Sequence, residues 1–292
     1  MTDSATTTDP ETTEESSGRV RMVDVENVPQ HRHLRYGEVR LTLGHQIARG
    51  GFSTVYEASD AWGNTLVVKE FNEKANPLMW NNEVANYQRL HHPQIVHMYG
   101  AFELEQKQYI ILQYGGLAVG RINLGDPRER RLILMLTAKA MLEALHYMHT
   151  EGFVHTDINP YNALLELTPD NKPVNVRLCD LGLSLLREHL TPGKHKAKWN
   201  PSPECIDGER FGYEGPKMDV YSTAQVLMEI LNGENIPRFT DEEICDEAPR
   251  KMALSFKDPL GDALAHALVP QVDDRVDALQ LWKMIRKAGF ER

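Results

Sequence analysis

From residue 39 onward the apolar positions follow two patterns. Segments 39–48, 54–60 and 65–71 are short, β-branched and divided by Gly, Asn and Asp, which predicts strands joined by turns. Residues 77–91 read as a helix, and further strands follow near 96–103 and 107–113. The period then changes. In ERRLILMLTAKAMLEALHYMHTEG, residues 129–152, apolar residues recur at three and four, and Gly152 supplies a stop. Segments 217–232, 258–268 and 276–287 carry the same helical spacing. A strand-rich first third before a helix-rich remainder predicts an α+β chain in two lobes, a β-rich one over 39–114 and a helical one over 115–290. No internal repeat is visible.

Composition supports this picture and narrows the function. The 292 residues are 41% hydrophobic and 25% charged, enough for a core of normal size. The net charge of -10 argues against a nucleic-acid partner held by phosphate attraction. Cys179, Cys205 and Cys245 form no CxxC pair, so three reduced thiols in a reducing compartment are expected. No run of 18 apolar residues and no apolar leader is present, so membrane insertion is not expected and an intracellular, cytoplasmic location is. Residues 1–18, Thr/Ser-rich and acidic, bury too little apolar surface to offset their ordering and are expected to be disordered. Residues 19–38 gain apolar character and read as an extended lead-in.

Several residues in this frame carry chemistry. In IARGGFSTVYEA, Gly50 and Gly51 let backbone N–H groups approach phosphates, although any hairpin can use the same pair. Lys69, in the apolar strand LVVKEF, is costly unless its amine meets an anion or sits on an edge facing water. Glu83, on one helix face with Tyr87, is a candidate anion. In HTDINPYNALL, Asp157 can accept a proton or orient a hydroxyl, and Asn162 offers a neutral oxygen suited to Mg²⁺. Asp180, in VRLCDLGLS, ends a predicted strand, a common position for a metal ligand. Each of these residues has an ordinary turn or surface role when taken alone. Their order along the chain is what makes them specific.

That order resembles the eukaryotic-type protein kinases, from about residue 40 to residue 288. Ile47 to Val55 matches the Gly-rich loop, Lys69 the strand lysine and Glu83 its helix partner, in a register supported by Leu90, His92 and Pro93. YIILQY resembles the strand entering the hinge, with Leu112 as gatekeeper and Gly115 in the hinge. Asp157 and Asn162 match the catalytic-loop Asp and metal-binding Asn, and Asp180, Leu181 and Gly182 match D-F-G. Ser202, Pro203 and Glu204 match A-P-E, Asp219 the brace of the catalytic loop, and Arg275 the late partner of Glu204. The resemblance implies ATP and Mg²⁺ as cofactors and a protein substrate. Ile47, Gly50, Gly51, Ser53, Val55, Val67, Lys69, Leu112, Tyr114 and Leu164 would hold ATP, and Asn162 and Asp180 the metal. Lys69, Glu83 and Asp157 would be the catalytic set, acting by positioning and electrostatics.

The departures from the family pattern are specific. Ala48 and Ser53 replace two loop glycines, Val67 adds bulk over the adenine site, and Leu181 stands for Phe. Trp199 and Asn200 stand where the substrate loop usually carries an aromatic. Thr156 replaces the Arg that gathers a phosphorylated activation loop, so activity without phosphorylation at Ser184 or Thr191 is expected. H-T-D-I resembles the SR-protein kinases. Asn159 replaces the Lys that faces the γ-phosphate and leaves at most a neutral hydrogen bond there. Ser/Thr specificity is favoured because the Tyr-kinase form of that loop is also absent. The alternatives are a pseudokinase scaffold and, ranked last, a small-molecule phosphotransferase.

Overall fold

The computed structural model describes residues 32–36, 39–191, 193–194, 199, 201–233 and 236–290. The expected acidic tail and the first part of the lead-in lie outside these residues. The smaller lobe is a six-stranded antiparallel sheet: β1 (Arg32–Tyr36), β2 (Val39–Arg49), β3 (Ser53–Asp60), β4 (Thr65–Phe71), β5 (Met98–Leu104) and β6 (Lys107–Gln113), in the order β1-β2-β3-β4-β6-β5. Residues 32–36, within the lead-in, therefore pair into the sheet, and Leu34 joins an outer apolar cluster with Leu41, Leu43, Val68 and Ile111. Helix α1 (Pro77–Arg89) crosses the other face. It is opened by Pro77 and by Asn76, whose side chain accepts from the Leu78 amide.

The short strand β7 (Leu117–Ala118) leads out of the sheet, and α2 (Pro127–Thr150) starts the helical lobe, capped by the Asp126 carboxylate. Next come β8 (Phe153–Val154), β9 (Ala163–Leu167), β10 (Pro173–Leu178) and β11 (Leu185–Leu186). The remaining helices are α3 (Gly208–Phe211), α4 (Pro216–Asn232), α5 (Asp241–Cys245), α6 (Ala248–Ser255), α7 (Pro259–Ala267) and α8 (Ala278–Phe290). Strands β2 to β6, strand β10 and the longer helices lie where the hydrophobic periods put them, whereas β1, β7, β8, β9 and β11 were not predicted as strands. Helices α3, α5 and α6 had no such signal, because four, five and eight residues hold too few turns to show a period.

Helix α4 is buried along nearly its whole length and is the pillar of this lobe. It is packed by α2, α7 and α8, and Gly233 ends it in the left-handed conformation. At its base lies the expected pair of Glu204 and Arg275, both with fully enclosed side chains. Arg275 donates to both Glu204 carboxylate oxygens at 2.7 and 2.8 Å, and to the carbonyls of Val269, Pro270 and Lys217. All five guanidinium N–H groups are thus used. Its cation also sits 4.8 Å from the centre of the Tyr221 ring. Such a pair stabilises only while complete, since removing one member strands a buried charge. Glu204→Leu is therefore expected to cost about 3–5 kcal/mol in the unfolding free energy, measured by denaturant titration. A change below 1 kcal/mol would show that Arg275 finds another counter-charge.

Candidate active site

The segment after α2 is held from below. Asp219, on the first turn of α4 and 1% exposed, accepts from the amides of His155 at 2.8 Å and Thr156 at 2.9 Å. His149 Nε2 lies 2.9 Å from the same carboxylate. This brace holds Thr156 at a φ of 68°, a strained value for a β-branched residue. Beyond it, Asp157 receives hydrogen bonds on its carboxylate from Asn162 at 3.1 Å and Asn159 at 3.3 Å. Both amides also donate to the Asp157 carbonyl.

Asn159 is not directed as expected. Its amide donates inward to Asp157, and its oxygen accepts from the Tyr161 amide at 2.9 Å. A short amide satisfies the tight turn locally, where a long lysine would reach outward. Both ends of its amide are thus engaged within the loop, on Asp157 and on the Tyr161 amide.

Lys69 lies in β4 opposite Val55, which places its ammonium beneath the β2–β3 hairpin. It donates to both Glu83 oxygens at 2.8 Å and to Asp180 Oδ1 at 3.0 Å. Burial opposes the charged amine, but Asp180 and Glu83 outweigh it and hold its pKa above the ordinary lysine value. Burial pushes the Glu83 carboxyl up to about 7, with Lys69 working against the rise and Asp180 adding to it. At Asp180, burial is overcome by Lys69, and the carboxyl stays below its usual range. Asp157 goes the other way. Burial, with added repulsion from Asp180, raises it, while His155 and the two asparagines hold it back. Gly182 fits closely here: a Cβ at that position would lie 3.0 Å from Glu83 Oε2 and 3.2 Å from Asp180 Oδ1, so either carboxylate would have to shift.

These groups line one cavity of about 540 Å³, together with Gly50, Gly51, Ser53 and Thr156. Of the expected ATP contacts, Ile47, Val55, Val67, Leu112, Tyr114 and Leu164 are outside its lining. Val67 pairs with Leu112 across β4 and β6, and Leu164 on β9 abuts Gly115, where a Cβ would come within 2.6 Å of it. Arg121 donates to the Ile47 carbonyl at 2.7 Å and ties the sheet to the start of the helical lobe. Lys194 also lines the cavity. Neither Arg121 nor Lys194 belongs to a motif, so sequence reasoning missed both.

The expected metal ligands suit a hard cation. Asn162 uses its amide N–H groups on Asp157, which leaves its oxygen as an acceptor, and Asp180 offers a carboxylate with 43% of the side chain open to the cleft. Among the described residues no cluster of three or more His, Cys, Asp or Glu would hold an ion unaided. An ion at Asn162 and Asp180 would thus need oxygens from a ligand. Cys179 packs against the main core, and burial raises its thiol pKa. Trp199 is half-buried against the same core, while Asn200 lies outside the described residues. Ser184 is 0% exposed, so its hydroxyl is not the accessible phosphorylation site its loop position suggested.

This fold and this set of groups are those of a protein kinase domain. Residues 41–279 match the family model described as "Protein kinase domain", and the chain belongs to that family. Among its relatives, CBL-interacting serine/threonine-protein kinase 7 of Arabidopsis thaliana is 30% identical over 219 residues, covering 69% of this chain and 48% of that protein. Mitogen-activated protein kinase kinase kinase 7 of Drosophila melanogaster is 29% identical, covering 70% and 29% respectively. CBL-interacting protein kinase 4 of Oryza sativa subsp. japonica is 28% identical over 260 residues, covering 80% and 54%. The chain thus spans roughly half or less of these relatives. The match establishes the family but not the narrower likeness to SR-protein kinases. Among the described residues no helix is long and apolar enough to cross a membrane.

The Asp219 brace sets a test. Asp219→Ala leaves two buried amides without an acceptor, at about 1–3 kcal/mol each, and frees Thr156 to leave its strained conformation. The expected result is a loss of about 2–5 kcal/mol in stability, read by denaturant titration. A variant as stable as the parent would show that the loop holds itself.

Proposed function

We propose that the chain is an ATP- and Mg²⁺-dependent protein kinase that transfers the γ-phosphate to a protein hydroxyl, on Ser or Thr. The observation that carries this reading is the Lys69 ammonium shared by Glu83 and Asp180, in the same cleft as Asp157. Lys69 neutralises the α- and β-phosphates of ATP, and Glu83 holds it there. Gly51 and Ser53 offer backbone N–H groups over the phosphates, while the Gly50 amide closes the hairpin on the Ser53 carbonyl at 2.8 Å. Asn162 and Asp180 would hold Mg²⁺, which when bound would supply positive charge to the phosphates. Asp157 accepts the hydrogen of the acceptor hydroxyl and aims its oxygen, while Asn159 and Asn162 fix the carboxylate. Lys194 brings a second positive charge to the cleft, where Asn159 brings none. Several relatives are named serine/threonine kinases, which supports that acceptor class.

A second reading keeps nucleotide binding without transfer. It is favoured by the two amides that already engage the Asp157 carboxylate. Incubating the protein with Mg²⁺, labelled ATP and a broad set of protein substrates separates the two. Transfer is expected, and Lys69→Ala and Asp180→Ala are each expected to lower it about 10²–10³-fold, the range one preorganised electrostatic group supplies. Nucleotide binding with no transfer by the parent would favour the scaffold.

The pH profile tests Asp157. It accepts a proton only when ionised, and its pKa lies above the ordinary aspartate value. As pH falls through that raised pKa it protonates, so kcat/KM is expected to drop on the acid side earlier than an exposed aspartate would produce. An acid limb at the ordinary aspartate pKa would refute this assignment.

A further inference from the structure

The face of α1 turned to the Asp180 segment carries two asparagines one helical turn apart. Asn86 is 5% exposed, and its amide donates to the carbonyls of Leu181 and Ser184, each at 2.8 Å. Asn82 donates to the Gly182 carbonyl at 2.8 Å. From the opposite side the Thr156 hydroxyl donates to the Leu183 carbonyl at 2.8 Å. Four consecutive carbonyls, 181 to 184, are thus each taken by a side chain. The Asp180 amide donates to the Tyr87 hydroxyl at 3.2 Å. None of these donors is charged.

We propose that Asn82, Asn86 and Thr156 form a neutral latch that holds α1 and the Asp180 segment in their catalytic arrangement with no phosphate on the activation segment. The inference rests on the kinase reading above. A buried amide is costly unless it is hydrogen-bonded, so moving α1 away from this segment strands Asn86 and the carbonyls together. The same movement would break Lys69 from Glu83, since Glu83 lies between the two asparagines on α1. An arginine at position 156 would need an anion to complete its contacts, whereas Thr156 completes its own with a neighbouring carbonyl. Ser184 lies inside the latch with its hydroxyl enclosed, so it is not the residue a partner kinase would modify while the latch is closed. Asn82 and Asn86 act through Asp180 and Glu83, and are positioning residues.

The test uses the full chain, phosphatase-treated and checked for absence of phosphate, beside Asn86→Asp and Asn82→Leu. The phosphate-free parent should retain its kcat. Each variant should lose about 5- to 30-fold in kcat, the equivalent of one or two hydrogen bonds. Amides of residues 180–186 should exchange hydrogen faster in both variants, while those of α4 keep parental protection, which excludes general unfolding. In Asn86→Asp the carboxyl regains a donor when protonated, so its kcat relative to the parent at the same pH should rise as pH falls. A purely structural substitution would not show this. If the parent transfers no phosphate, the kinase reading fails and hydrogen exchange alone judges the latch. Loss of parental activity on phosphatase treatment, or parental kcat and exchange in both variants, would overturn the proposal. If Asn86→Asp does not fold, the less buried Asn82→Leu decides by the same two measurements.

Discussion

The Lys69 ammonium is the point at which three separate pieces of chain meet. It belongs to β4 of the sheet, while Glu83 belongs to α1 and Asp180 to the segment after β10. A buried cation is tolerated only with close counter-charge, and here the counter-charge comes from elements far apart in sequence. The sheet, α1 and the Asp180 segment are therefore set relative to one another by one electrostatic requirement. The count of charges matters too. The Lys69 ammonium faces two carboxylates, Asp157 adds a third negative group in the same cavity, and Lys194 is the second cation there. Three carboxylates against two ammoniums leave a negative excess, which a divalent cation with oxygen ligands would relieve.

The two lobes solve the same problem in different ways. In the helical lobe, positions are over-determined. Asp219 satisfies two amides of the loop, and Arg275 spends every donor on enclosed acceptors, so neither has an alternative arrangement of similar energy. Around α1, beside the Lys69–Glu83 pair, the contacts to the Asp180 segment are neutral hydrogen bonds from amide side chains. Those bonds are short-ranged and directional, and salt screens them little. A braced base under Asp157 and a discrete set of neutral contacts on α1 thus fix the floor and the upper wall of the site by different means.

How much of this was legible in the residues follows from what each feature depends on. The long elements depend on period, and they appear where the period appears. Lys69 and Glu83 depend on charge in apolar surroundings, which a sequence shows, whereas Glu204 and Arg275 were legible only through the family resemblance; both pairs form. Asn82 and Asn86 depend on which way α1 is rotated against a segment about a hundred residues later, and an asparagine in a helix carries no sign of that. Ser184 resembles any loop serine until the chain above it is packed. Asn159 misled for a related reason. Its family position suggests a group facing a ligand, but a side chain two bonds shorter closes on its own turn.

That last difference changes what the loop contributes. With a lysine at position 159, the loop would supply charge to the ligand and leave Asp157 with one amide partner. With asparagine there, the loop supplies no charge, and Asp157 has two amides that fix its carboxylate and favour its ionised form. Those amides work against burial, which alone would drive Asp157 towards the neutral state. Positive charge must then come from outside the loop, and among the described residues Lys69 and Lys194 are the lysines that line the cavity. The exchange of Lys for Asn thus separates two tasks. The loop positions the carboxylate, and the strand and the activation segment bring the cations.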